Sequence, residues 1–299
     1  HGSRGLGDVY KRQVMMRNIK LNILSITLLA SLNAFAAEDW SRINTCEYND
    51  SENESLITDL IGKMSIEQKA GQVIQGDLDF ISPADVNKYY IGSVLNGGNT
   101  SPNGDKYSSV KDWKNLSKEF YDASLEIDGL KIPVLWGTDA VHGHNNIIGA
   151  TLFPHNIGLG ATGNATLIKQ IGEAIALEVL STGVVWTFAP TIAVPQDDRW
   201  GRTYEGFSED PVLVSTLGRA MILGLQGEGS NFLDGNHVAA TAKHFIGDGG
   251  TLNGVDQGNT LVSEEGLRNI HGQPYFQALD ACAQTVMASF NSWNGSKLH

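Results

Sequence analysis

Short apolar runs alternate along the chain with longer stretches in which apolar residues recur at helical spacing, the alternation expected of βαβ units. The predicted strands are Gly71 to Ile74, Gly92 to Leu95, Pro133 to Trp136, Val184 to Phe188, Val238 to Ala242 and Thr285 to Ser289. Most are continuously apolar, as strands buried on both faces of a parallel sheet should be. The helices between them have clearer ends. Asn164 can cap a helix whose Leu167, Ile168, Ile171, Ile175 and Val179 form one face, up to a stop at Gly183. Asp210 followed by Pro211 is a cap and first-turn pair, and Leu213, Leu217, Ala220 and Gly224 continue one face of the next helix. The expected class is α/β with a parallel sheet, and six strands do not close an eight-stranded barrel.

The first residues carry none of this pattern. Residues 1–14 resemble translated non-coding sequence and are set aside as a non-native leader. From Met15, the basic Arg17 and Lys20 precede the apolar run Leu21 to Leu32 and then Ala34-Phe35-Ala36, the order of a cleaved secretory signal over residues 15–36. The run is too short for a membrane span and is soon followed by Glu38, Asp39 and Arg42. A mature domain over residues 37–299 is expected, opening with a polar leader around Glu47 to Glu54, secreted or periplasmic and with no membrane contact after signal cleavage. The formal net charge of −12 grows more negative once the basic leader is removed, which makes nucleic acid a poor partner and favours neutral ligands. Cys46 and Cys282 are too few for a disulfide framework or a zinc site.

The polar, glycine-rich motifs fall just after the strands, at the carboxyl ends where parallel α/β folds hold their sites. Gly158-Leu-Gly-Ala-Thr-Gly163 has dinucleotide-binding spacing, but no strand leads into it and no acidic residue follows the next strand, so it reads as a turn feeding a helix. Asp139, His142 and His144 lie in one loop, yet no Glu or His at helical spacing completes a metal site; no metal and no cofactor is expected. A carboxylate at a strand end, as at Asp139, also suits paired hydroxyls of a neutral sugar, with a buried structural acid as the plainer alternative. In Asp197 to Glu205, Arg199 reads as part of an ion-pair network. Arg202, after Gly201, is expected to turn its fork outward to hydroxyl pairs. Lys243 and His244 are adjacent, so an ideal strand would send them to opposite faces, a rule that relaxes at a strand end. Two such donors at a strand mouth favour hydroxyl binding over one buried histidine beside a solvated lysine. A Gly-x-Ser-x-Gly elbow is absent, and carboxylate chemistry needs a second carboxyl group beside Asp139.

These motifs together resemble glycoside hydrolase family 3, in particular its β-glucosidases and exo-acting β-glucan glucohydrolases, from about Leu56 to His299. The resemblance rests on Trp136-Gly-Thr-Asp-Ala-Val-His-Gly-His-Asn-Asn146, Phe153-Pro-His-Asn-Ile-Gly-Leu-Gly160, Arg199-Trp-Gly-Arg-Thr-Tyr-Glu205, Ser208-Glu-Asp-Pro211, Lys243-His-Phe-Ile-Gly-Asp-Gly-Gly-Thr251 and Val286-Met-Ala-Ser-Phe-Asn-Ser-Trp-Asn294. It implies an incomplete (β/α)8 TIM-like barrel, the family's N-terminal domain, with a C-terminal α/β sandwich domain missing. It further implies that Asp139, Arg202, Lys243 and His244 bind the terminal non-reducing glucose of β-glucan oligosaccharides or β-glucosides. A retaining double displacement would follow, with an aspartate nucleophile and a glutamate acid/base that lie beyond His299. The chain alone is therefore expected to be inactive, with unpaired apolar strand edges. Loop Gly247-Asp248-Gly249-Gly250 lacks the histidine of the N-acetylglucosaminidase branch, which favours the glucosidase branch. A non-catalytic glucan-binding remnant is the alternative.

Overall fold

Residues 40, 51–97, 100–127 and 130–299 are described by a computed structural model. The leader and signal expected over 1–36, and Cys46, lie outside these residues. Ser51 to Glu54, expected as part of a polar leader, already belong to helix α1 (Ser51–Lys63). Ser65 then starts α2 (Ile66–Gln72) with a reciprocal capping box: its hydroxyl accepts from Gln68 N while the Gln68 side chain accepts from Ser65 N. This helix takes up the start of the first predicted strand, while the strands predicted from Pro133 and Val238 begin two and three residues later, at Leu135 and Thr241. Gly71 and Gln72, predicted to open a strand, finish this helix, and β1 (Gln75–Asp77) begins only after Ile74.

Beyond β1, helix α3 (Pro83–Tyr89) leads to β2 (Ser93–Asn96), and α4 (Val110–Leu125) to β3 (Leu135–Thr138). The short α5 (Asn156–Gly160) and long α6 (Ala165–Ser181) precede β4 (Trp186–Thr187), and α7 (Pro211–Gln226) precedes β5 (Thr241–Phe245). Strands β1 to β4 pair in parallel in that order, and Trp186 of β4 is bridged in parallel to Ala239, just ahead of β5. A two-residue strand β6 (Asn259–Thr260) follows. Then α8 (Glu264–Gly266) runs through a π turn (Leu267–Gly272) into α9 (Gln273–Asp280), which leads to β7 (Thr285–Ala288), the parallel partner of β5. Six parallel strands thus succeed one another in chain order with helices between them, an incomplete (β/α)8 arrangement. Short β8 (Ser292–Trp293) and β9 (Ser296–Lys297) complete a small three-stranded sheet with β6.

Both predicted caps form: the Asn164 side chain accepts from Leu167 N at 3.0 Å, and Asp210 from Val212 N at 2.9 Å. Ile168, Ile175 and Val179 of α6 and Leu217, Met221 and Leu225 of α7 are buried in the core, each worth roughly 1.5–3 kcal/mol. Leu167, counted on that face, is 37% exposed because it sits one position off the buried stripe. The two helices cross at glycines. A Cβ on Gly224 would stand 2.2 Å from Lys169 O and 2.9 Å from Gly172 Cα. Among the described residues no helix is long and apolar enough to cross a membrane.

Candidate active site

Three strand ends meet at one cluster. Asp139 follows the last residue of β3, Arg202 lies in the loop after β4, and Lys243 and His244 close β5. Lys243 is 3% exposed, and its Nζ donates to Asp139 Oδ1 at 2.9 Å. The Asp139 carboxylate remains partly open, its side chain 38% exposed. Lys243 and His244 both turn toward this cluster: the register of β5 against β7 shifts between Lys243 and Phe245, which re-aims the side chains. His244 Nδ1 lies 2.8 Å from Asp248 Oδ2, and its Nε2 lies 3.1 Å from Arg202 Nη2.

Arg202 is also gripped by Glu205, three residues on in a 3₁₀ turn: Nε donates to Oε1 at 2.7 Å and Nη2 to Oε2 at 2.8 Å. The expected outward fork is therefore already spent on a carboxylate, leaving Nη1 outside that pair. The glycine before it is not the cause of the turn, for Gly201 keeps a negative φ and has open space around its Cα. Burial pushes the Glu205 carboxyl up, but the Arg202 hydrogen bond and the charges of Arg202, Lys243 and His244 outweigh it and hold Glu205 below its usual range. Burial likewise favours losing the Arg202 proton, and Glu205, Asp248 and Asp256 more than compensate.

Arg199 behaves differently. It is exposed and forms a two-pronged pair with Asp197, whose carboxyl it draws down to about 2. The three loop residues weighed as metal ligands diverge: Asp139 turns to Lys243, His142 Nδ1 to Phe153 O at 2.7 Å, and buried His144 to Thr182 Oγ1 at 2.9 Å. The glycine-rich run 158–163 lies at the end of α5 and in the turn before α6, with no strand leading into it.

Two carboxylates of the cluster were not singled out from the sequence as site residues. Glu205 stood only among the charges of the Arg199–Arg202 segment, and Asp248 only as a letter of its glycine-rich loop. The available signal was spacing: each lies within four residues of the site residue it holds. The loop is pressed against its neighbours, since a Cβ on Gly249 would meet Val194 O at 2.6 Å and one on Gly254 would meet Trp200 N at 2.5 Å. Gly254 also has φ +67°, a conformation that glycine adopts freely.

The family model of the glycosyl hydrolase family 3 N-terminal domain matches residues 65–299. A lysosomal β-glucosidase of Dictyostelium discoideum is 33% identical over 270 residues, 83% of this chain and 32% of that protein. A periplasmic β-glucosidase of Salmonella typhimurium is 31% identical over 243 residues, 81% of this chain and 30% of that protein. Among solved structures, an exo-1,3/1,4-β-glucanase from a Pseudoalteromonas species is 53% identical with a TM-score of 0.85, covering 87% of this chain and 33% of its own. A β-glucosidase from Listeria innocua in complex with glucose is 27% identical with a TM-score of 0.69, covering 82% and 34%. The chain spans about a third of the length of the relatives it matches. With its six parallel strands and this match from residue 65 onward, the chain belongs to glycosyl hydrolase family 3 through that family's N-terminal domain.

Proposed function

We propose that this domain binds the terminal non-reducing glucosyl residue for an exo-acting β-glucosidase, with Asp139, Arg202 and Lys243 as its hydroxyl ligands and His244 orienting Arg202 behind them. The observation that carries this reading is the Lys243–Asp139 pair at 2.9 Å, set beside Arg202 at the mouths of neighbouring parallel strands. A sugar hydroxyl both donates and accepts, so a site that offers an ammonium, a free guanidinium end and a partly open carboxylate meets it on both counts. The neutral ligand also fits the acidic balance of the chain.

The reaction is a retaining double displacement. A carboxylate attacks the anomeric carbon as the bond to the leaving sugar breaks, a carboxylic acid gives that sugar's oxygen its proton, and water then releases glucose from the glycosyl-enzyme. The four residues named here bind and orient; the nucleophile and the proton donor are not among them. Export to the periplasm or beyond agrees with the signal pattern over residues 15–36, with the periplasmic relative, and with the disulfide at Cys282, which suits an oxidising compartment.

Calorimetric titration of the chain with glucose and with galactose, its C4 epimer, tests the reading. Saturable binding of glucose is expected, with Arg202→Met weakening it about 10- to 100-fold through loss of a charge-assisted bond. Equal binding of both sugars, or of glucose by the substituted chain, would sink the assignment.

A further inference from the structure

We propose that Asp248 is a positioning residue of this site: it fixes His244 as the Nδ1–H tautomer and, through His244, holds the Arg202 guanidinium with Nη1 presented to the ligand. The functional half of this inference rests on the sugar-binding reading above; the tautomer does not.

The assignment follows from which atoms are able to donate. A guanidinium nitrogen has protons and no accepting lone pair, so His244 Nε2, 3.1 Å from Arg202 Nη2, must be the acceptor and bears no proton. The single ring proton then sits on Nδ1 and is donated to Asp248 Oδ2 at 2.8 Å. Arg202 has five N–H bonds. One on Nε and one on Nη2 go to Glu205, the second on Nη2 goes to His244, and the two on Nη1 remain. In the opposite tautomer an N–H of His244 would face an N–H of Arg202, and the guanidinium would lose one of its two anchors.

Asp248 is itself held firmly. It is 6% exposed and opens a 3₁₀ turn whose next residue, Gly249, has no room for a Cβ against Val194 O; Gly249 O accepts from Gln196 N at 2.8 Å. Its second oxygen, Oδ1, is buried with no hydrogen-bond partner among the described residues. The titratable groups that feel its charge are His244, Arg202, His271 and Tyr275, the last two also buried with unpartnered polar atoms. A buried carboxylate with an unpartnered oxygen is a costly way to secure a loop. Directing the proton of His244 is the task that calls for one.

The experiment is a two-bond proton–nitrogen correlation spectrum of the full 299-residue chain labelled with ¹⁵N-histidine, the His244 signals being identified by their loss in His244→Asn. A pyrrole-type Nδ1 and a pyridine-type Nε2 are expected at neutral pH. In Asp248→Leu, which removes the acceptor of the Nδ1 proton, an Nε2–H population should appear, and glucose affinity should fall about tenfold, the worth of one hydrogen bond to a charged group. An Nε2–H signal in the unsubstituted chain overturns the proposal, as does an unchanged Nδ1–H pattern in Asp248→Leu. The spectrum of the unsubstituted chain is decisive even where the variant fails to fold. Failure of that chain to bind glucose would instead count against the sugar reading, because the tautomer is read with no sugar present.

Discussion

Two buried histidines should make this domain lose stability in mild acid. His144 is 1% exposed, and its Nε2 faces Thr182 Oγ1, whose own proton goes to Val179 O. The hydroxyl oxygen is therefore the acceptor, His144 is the Nε2–H tautomer, and a second proton would enter at Nδ1, which is buried without a partner. His271 is 3% exposed and neither ring nitrogen has a partner. Burial draws both from 6.5 down to about 4, the Asp248 charge opposing it slightly at His271. Both folded values are depressed, so between pH 6.5 and 4 the unfolded chain takes up protons that the folded chain refuses, and stability falls as pH falls. Integrating that difference gives about 2 kcal/mol per histidine at about pH 5, or about 4 for the pair. This is a large part of the roughly 5–15 kcal/mol of a typical domain. Urea unfolding at about pH 7.5 and about pH 5 measures it, read from midpoints at constant slope. The doubly substituted chain, His144→Gln with His271→Gln, should lose far less over the same interval. An equal loss in both chains, or a flat profile in the unsubstituted one, refutes the reasoning.

Glu205 is held ionised below its ordinary 4.5, so its hold on Arg202 and any glucose affinity that depends on it should persist as pH falls through that value; an affinity-against-pH curve breaking above 4.5 contradicts this. Gly224→Ala should destabilise the chain by about 1–3 kcal/mol in a thermal melt despite alanine's better helix propensity, because the new methyl meets Lys169 O. Arg199→Ala should leave both melting temperature and glucose affinity unchanged, since the Arg199–Asp197 pair is exposed.

The architecture was legible wherever long-range burial imposed a simple pattern. Continuous apolar runs became parallel strands, and Asn164 and Asp210 capped the helices that they announced. The runs failed at Gly71, where the local chemistry of Ser65 and Gln68 carried a helix through residues that also suit a strand. They were silent on β6, β8 and β9, because two-residue strands have no period to read. At the site, placement was readable because its motifs follow strands, and Asp139, Arg202, Lys243 and His244 do converge. Pairing was not. That Glu205 takes the fork of Arg202, and that a register shift brings Lys243 and His244 to one side, depends on backbone geometry that residue spacing does not encode.

The central claim, that this cluster receives a terminal glucosyl residue, is tested most directly by a crystal structure of the chain grown with glucose. Ring hydroxyls within hydrogen-bonding distance of Asp139, Lys243 Nζ and Arg202 Nη1 are the predicted result. Glucose bound elsewhere, with these groups contacting no sugar, would contradict it.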